Sequence, residues 1–187
     1  MLAVVLGGCT GSAQPAPTTS PAAATSVAPS PTPTPTPTPS VDVAVPPVRP
    51  EAMATPGADG AAAAASYFIS LYPYVYATGD LTEWRLLSDP ACEFCAMVDG
   101  EVEDLHGRGH RVVGPFAVLS TSGRELEASR WYSAEAVVDI GESSEFDRQG
   151  HLVKTDGAGT YRTTYSLTWN EGWRVDAVGL EPVSSGS

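Results

Sequence analysis

Cys92 and Cys95 stand three residues apart in Asp89-Pro90-Ala91-Cys92-Glu93-Phe94-Cys95, and they carry the sharpest chemical signal of the 187-residue chain. At the start of a helix this spacing suits a structural disulfide or a thiol redox centre, because the helix N-terminus stabilises a thiolate. Asp89, Glu93 and Asp99 place negative charge beside the thiols, and no strand-turn-helix pattern of the thioredoxin kind precedes them. A disulfide is therefore the expected state, with redox exchange and free or metal-bound thiols as alternatives.

Two other groups have chemistry in reach. His106-Gly107-Arg108-Gly109-His110 sets two imidazoles beside Glu101, Glu103 and Asp104. The glycines leave the spacing undefined and nothing completes four ligands, so we assign these histidines to a helix end and a turn and expect neither metal nor cofactor. His151 falls in a polar loop. Glu135 and Asp139 alternate with apolar residues on one strand; they are candidate bases only if that face turns inward. Tyr67, Tyr72, Trp84, Tyr132, Tyr165 and Trp169 are candidates to line a ligand pocket, against the plainer reading that aromatics at such spacings fill a core.

Helices must position the first of these groups. Thr55-Pro56 pairs an N-cap with proline at the first helical position, and Ala61, Ala64, Ala65, Phe68, Leu71, Tyr72 and Val75 keep helical spacing up to Gly79. Pro73, which lacks an amide hydrogen and crowds the carbonyl of Ile69, predicts a kink or a shortened helix. Asp80 caps a short helix from Leu81 to Leu87. Asp89-Pro90 repeats the cap-and-proline signal and opens a third, through Cys92, Cys95, Val98, Val102 and Leu105 to Gly107.

Strands follow. Arg111 to Thr121 is interrupted at Gly114-Pro115, where a bulge or edge is expected. Trp131 to Ile140 alternates, with Tyr132, Ala134, Ala136 and Val138 on the inward face. Tyr161 to Trp169 turns at Asn170-Glu171-Gly172 into Trp173 to Leu180, where Trp173, Val175 and Ala177 share a layer. The polar segment Gly141 to Gly159 reads as a long hairpin loop. Helices segregated before an antiparallel meander predict an α+β fold, three helices on a curved four-stranded sheet.

The N-terminal third has a different character. Leu6-Gly7-Gly8-Cys9 ends an apolar run and reads as a lipobox whose Cys9 takes a diacylglyceryl group. The run lacks a basic start and is short for a signal, so the true start is expected upstream. Residues 10–50, rich in Ala, Pro, Thr and Ser, offer little to bury and predict a disordered tether; at about 3.1 Å per residue in polyproline II it reaches on the order of 100 Å. Residues 51–183 form one globular domain, and 184–187 a disordered tail. No apolar run approaches the roughly 18 residues that read as a membrane span. With a net charge of -12 and ten basic residues in all, the chain is poorly suited to nucleic acid, so the membrane contact is expected through Cys9 alone.

The runs Tyr76-Ala77-Thr78-Gly79-Asp80, Leu87-Ser88-Asp89-Pro90, Cys92-Glu93-Phe94-Cys95 and Trp173-Arg174-Val175 resemble an uncharacterised domain family of actinobacterial lipoproteins. The resemblance implies the α+β cone of the nuclear-transport-factor-two-like superfamily, in which a curved sheet wraps a long helix. Such cones host isomerases, dehydratases and binding modules, so the fold alone fixes no activity. The expectation is a noncatalytic lipoprotein on the outer face of the cell membrane, binding an envelope protein, a wall polymer or a small apolar ligand. The alternatives are an isomerase or dehydratase using Glu135 or Asp139, and a thiol-disulfide module using Cys92 and Cys95.

Overall fold

A computed structural model describes residues 44–183. Cys9, the lipobox, most of the Pro/Thr tract and residues 184–187 lie outside the described residues.

After a 3-10 turn at Glu51–Ala54 come three helices, α1 (Ala58–Thr78), α2 (Thr82–Leu87) and α3 (Glu93–Gly107), and then seven strands. Helix α1 begins later than Thr55-Pro56 predicts. The 3-10 turn uses Thr55 as its extended end, with φ -132°, and the carbonyl of Thr55 lies over Gly60, so the helix starts after Gly57 at φ 129°. Its far end is the expected one, since Gly79 is left-handed and its N–H donates to the Val75 carbonyl at 2.8 Å.

Pro73 does not end the helix. α1 runs through it for 21 residues, because Leu71, Tyr74 and Val75 around it are buried and the Thr78 hydroxyl ties the last turn to the Tyr74 carbonyl at 2.8 Å. Burial of three such side chains outweighs a proline penalty of about 3 kcal/mol.

Helix α3 starts at Glu93 rather than after Asp89-Pro90. The Asp89 N–H donates to the Val175 carbonyl at 2.9 Å, which holds residues 88 and 89 extended beside a strand. The Asp89 carboxylate then accepts from the Ala91 N–H, and Cys92 becomes the N-cap.

Strands β2 (Phe116–Glu127), β3 (Trp131–Ile140), β6 (Gly159–Trp169) and β7 (Trp173–Pro182) form an antiparallel sheet in that order. Ala134 pairs with Tyr165 and Tyr132 with Leu167, so one face carries Tyr132, Ala134, Ala136, Val138, Tyr165 and Leu167 into the core. The core is completed by Phe68 stacked on Trp84, with centroids 4.1 Å apart, and by Trp173 edge-on to Tyr132 at 4.8 Å. Ala177 does not join that layer. A bulge between Ser166 and Leu167 pairs them with Ala177 and Val175, leaving Asp176 between; the phase shifts and Val178, not Ala177, packs on the core.

The segment from Gly141 to Gly159 is not a loop. It contains β4 (Ser143–Phe146) and β5 (Leu152–Asp156), which with β1 (Arg111–Val113) make a second sheet in the order β1-β4-β5. Its turn is held by Asp147, whose carboxylate accepts from the N–H groups of Gln149 and His151 at 2.9 and 2.8 Å. β4 is half-buried throughout and β5 exposed throughout, so neither alternates and both are hidden from periodicity. Gly114-Pro115 is correspondingly a passage between two sheets, where a side chain at 114 would meet the Ser143 backbone at 2.8 Å.

Candidate functional site

Where the C-terminal half of α1, one face of α3, the small sheet and the start of β6 meet, they line a half-open cavity of about 550 Å³, its charged side chains exposed to solvent. Tyr72 and Tyr76, one turn apart on α1, bring their rings to 4.8 Å along one side. Leu105, Phe116, Ile140 and Val112 make an apolar lining, Tyr161 enters from β6, and Glu101, Asp104, Arg108, Lys154 and Asp156 supply charge.

Polar groups of different elements converge on it. The Tyr76 hydroxyl donates to Glu101 Oε2 at 2.5 Å, joining α1 to α3. Lys154 Nζ meets Asp156 Oδ1 at 2.7 Å on β5, and this contact holds the lysine pKa above its usual value. Burial raises the Tyr72 pKa first; the neighbouring Tyr76 hydroxyl opposes this, and the carboxylates of Glu101 on α3 and Asp156 on β5 add to the rise. Its hydroxyl thus senses carboxylates from two walls. Burial likewise raises Tyr76, with Tyr72 and the accepting Glu101 adding to the shift. Both phenols are neutral at physiological pH.

His106 Nε2 lies 3.1 Å from the Tyr76 carbonyl, and His110 Nδ1 lies 2.6 Å from Glu145 Oε1, so both imidazoles serve the helix end and the small sheet. Among the described residues no group of three or more His, Cys, Asp or Glu is arranged to hold a metal ion. His151 meets Asp147 at 3.1 Å in the exposed β4–β5 turn.

Cys92 and Cys95 are disulfide-bonded with Cα atoms 5.2 Å apart, both buried, and the Cys95 N–H donates to the Cys92 sulfur at 3.2 Å. The bond spans the N-cap and the first turn of α3.

Of the six aromatic candidates, only Tyr72 lines this cavity. Trp84, Tyr132 and Tyr165 are buried in the core, and Trp169 packs edge-on to Trp173 at 5.1 Å. Tyr67 is buried too, with its hydroxyl donating to Glu83, which also holds Arg49 at 2.5 Å. Glu135 and Asp139 point away from the core. Glu135 lies 3.4 Å from Arg162, and Asp139 accepts from the Thr160 hydroxyl at 3.0 Å. The face of β3 is therefore not inverted, and neither carboxylate reaches an enclosed space.

Sequence reasoning missed Tyr76, Tyr161 and the charged face of α3 as a site. Tyr76 follows Tyr72 by four residues, and Glu101, Asp104 and Arg108 keep the spacing of one helix face; these were the available signals. The wall from β4 and β5 had none.

The sequence pattern of DUF6318, a family of unknown function, matches residues 15–178. The chain belongs to that family. No curated protein matches it. In fold this DUF6318 member is similar to the intermembrane space region of the chloroplast protein ARC6, with a TM-score of 0.52 at 15% identity, over 68% of this chain and 98% of that one. An uncharacterised protein with a cystatin-like fold from Caulobacter vibrioides gives a TM-score of 0.43 at 13% identity, over 67% and 92% of the two chains. At 15% identity the likeness to the ARC6 region is one of fold alone.

The DUF6318 domain has a second cavity, of about 450 Å³, between the α2–α3 connection and the β6–β7 hairpin. Its lining includes Asp89, Arg174 and the bulge residue Asp176, whose carboxyl is pushed up by burial while the Thr168 hydroxyl donates to it at 2.7 Å. Trp173 lines it but is buried against Tyr132, which leaves this cavity without the aromatic wall of the first.

Proposed function

We propose that this DUF6318 protein is a noncatalytic binding module of the cell envelope, held to the membrane by lipid on Cys9, whose ligand occupies the tyrosine-lined cavity. One observation carries the binding reading: Tyr72, Tyr76 and Tyr161 share a space of about 550 Å³ with Glu101, Asp104 and Asp156, which is the size and mixed character of a small-molecule site. The carboxylates that would have served an isomerase or dehydratase, Glu135 and Asp139, sit on the opposite face of the sheet.

Export is supported by Leu6-Gly7-Gly8-Cys9, by the Pro/Thr tract after it and by the bonded Cys92–Cys95 pair, since disulfides persist in oxidising compartments. Among the described residues no helix is long and apolar enough to cross a membrane, and Cys9 is the anchor we assign.

The test is photo-crosslinking in intact cells from two positions of the full chain, Val112 in the cavity wall and Glu135 on the outer sheet face, with mass-spectrometric identification of the products. Discrete adducts from Val112 and none in common with Glu135 are expected. Adducts from Glu135 alone would move the binding surface to the other side of the sheet and refute the cavity.

A further inference from the structure

Helix α3 carries charge on two faces that differ in how it is used. Asp99 and Glu103 are both taken by Arg85, at 2.5 Å each. Glu101, Asp104 and Arg108, at spacings of three and four, line the cavity instead. Of these, Glu101 uses one oxygen to accept from Tyr76, while its Oε1, the Asp104 carboxylate and the Arg108 guanidinium make no hydrogen bond or ion pair among the described residues. Two acceptors and one donor stand uncommitted beside half-buried phenols.

The ligand must match this. An aliphatic chain would cover those carboxylates and phenols without replacing their hydrogen bonds to water, at a cost of about 1–3 kcal/mol for each buried group left unmatched. A strongly anionic ligand meets three carboxylates and a net charge of -12; a cationic one is drawn by that charge but leaves the Arg108 guanidinium without an acceptor. An uncharged ring with apolar C–H faces and a rim of hydroxyls meets neither obstacle. Its faces lie against tyrosine and its hydroxyls both donate and accept.

We infer that the cavity takes a saccharide, with a sugar ring against Tyr72, Tyr76 and Tyr161 and its hydroxyls hydrogen-bonded to Glu101, Asp104 and Arg108. This rests on the cavity being the binding site. A cavity of about 550 Å³ holds one or two sugar rings, which suits the end or a branch of a glycan.

Saturation-transfer NMR on the full chain, with N,N'-diacetylchitobiose, cellobiose and maltose as probes and spermidine and decanoate as comparators, tests it. At least one disaccharide is expected to bind saturably with Kd on the order of 1 mM. Binding should not change with salt, should weaken roughly tenfold in both Asp104→Asn and Tyr161→Ala, and should be unchanged in Glu135→Gln. Circular dichroism of each variant verifies that it folds. Saturable binding of spermidine or decanoate alone, lost in Tyr161→Ala, would overturn the saccharide and leave the cavity reading standing. Should no probe bind, or should disaccharide binding ignore the cavity variants, the saccharide inference fails; the crosslinks from Val112 and Glu135 then decide the cavity reading separately.

Discussion

The indole N–H of Trp84 donates to the main-chain carbonyl of Cys95 at 3.1 Å, so the buried centre of the helical layer is tied to the turn that the Cys92–Cys95 disulfide closes. Trp84 also stacks on Phe68 of α1 and lies 6.2 Å from the Phe94 ring of α3. Three helices therefore meet at one side chain. Replacing Trp84 by Phe should remove the hydrogen bond and leave a gap, lowering stability by about 2–4 kcal/mol in urea unfolding. A loss under about 0.5 kcal/mol would contradict the role given to this contact.

Cys95→Ser should cost less. The loop closed by residues three apart is short, so the stabilisation sits at or below the low end of about 2–4 kcal/mol. Thermal unfolding of the variant, and of the native chain with and without reductant, measures it. If ligand binding were abolished while Tm stayed unchanged, a redox role would replace the structural one.

Two glycines should respond in opposite directions. At Gly123 on β2 an added Cβ would lie 2.0 Å from the Ala58 carbonyl oxygen, where the start of α1 crosses the sheet. Gly123→Ala must push helix and strand apart, and we expect a loss of about 2 kcal/mol or more. At Gly100 within α3 nothing lies within 4 Å, so Gly100→Ala should raise stability by about 0.5–1 kcal/mol through helix propensity. Equal effects at the two positions would refute the close approach of α1 to β2.

Acid should weaken the α1–α2 junction through Asp80. Its carboxylate accepts from Thr82, whose N–H is 3.1 Å away, and from the Tyr74 hydroxyl at 2.8 Å, and these bonds hold its pKa below the usual value. A depressed carboxyl contributes stability above the unfolded-state pKa of about 3.9, and this is lost as pH falls through the lower folded-state value. The stability difference between the native chain and Asp80→Asn should therefore be present at neutral pH and vanish in strong acid. Urea titrations across that range check the sign; a difference that grows on acidification would reverse it.

Cys9→Ser should release the protein from the membrane fraction. The place of Cys9 directly after Leu6-Gly7-Gly8 is the basis for the anchor, and the acidic chain offers no basic patch to replace it. Fractionation of cells expressing the full chain reads the outcome. Retention at the native level would refute lipid attachment at Cys9.

The order of helices and long strands was legible because each has a local cause. Gly79 stops α1 through its left-handed backbone, Asp80 precedes α2, and the alternation from Tyr132 to Val138 sets the buried face of β3 without reference to any partner. The same local alternation turned Glu135 and Asp139 outward. Composition sets the Pro/Thr segment apart from the sequence that follows it, and the spacing of Cys92 and Cys95 allows their bond without reference to packing.

Tertiary structure decided what local preference leaves open. Pro73 stays helical because its neighbours are buried, and Cys92, not Asp89, caps α3 because Val175 holds Asp89 extended. β4 and β5 pair with each other across the Asp147 turn, and Arg111 to Val113 adds to them through Phe146 to Ser144, a contact between residues more than thirty positions apart that no polar stretch of sequence announces. That second sheet supplies one wall of the cavity. Tyr76, Glu101 and Asp156 come from three elements, and each alone reads as an ordinary surface residue. Their meeting is a property of the packed chain: side-chain periodicity is set within one element, whereas a site made between elements depends on how their faces are brought together.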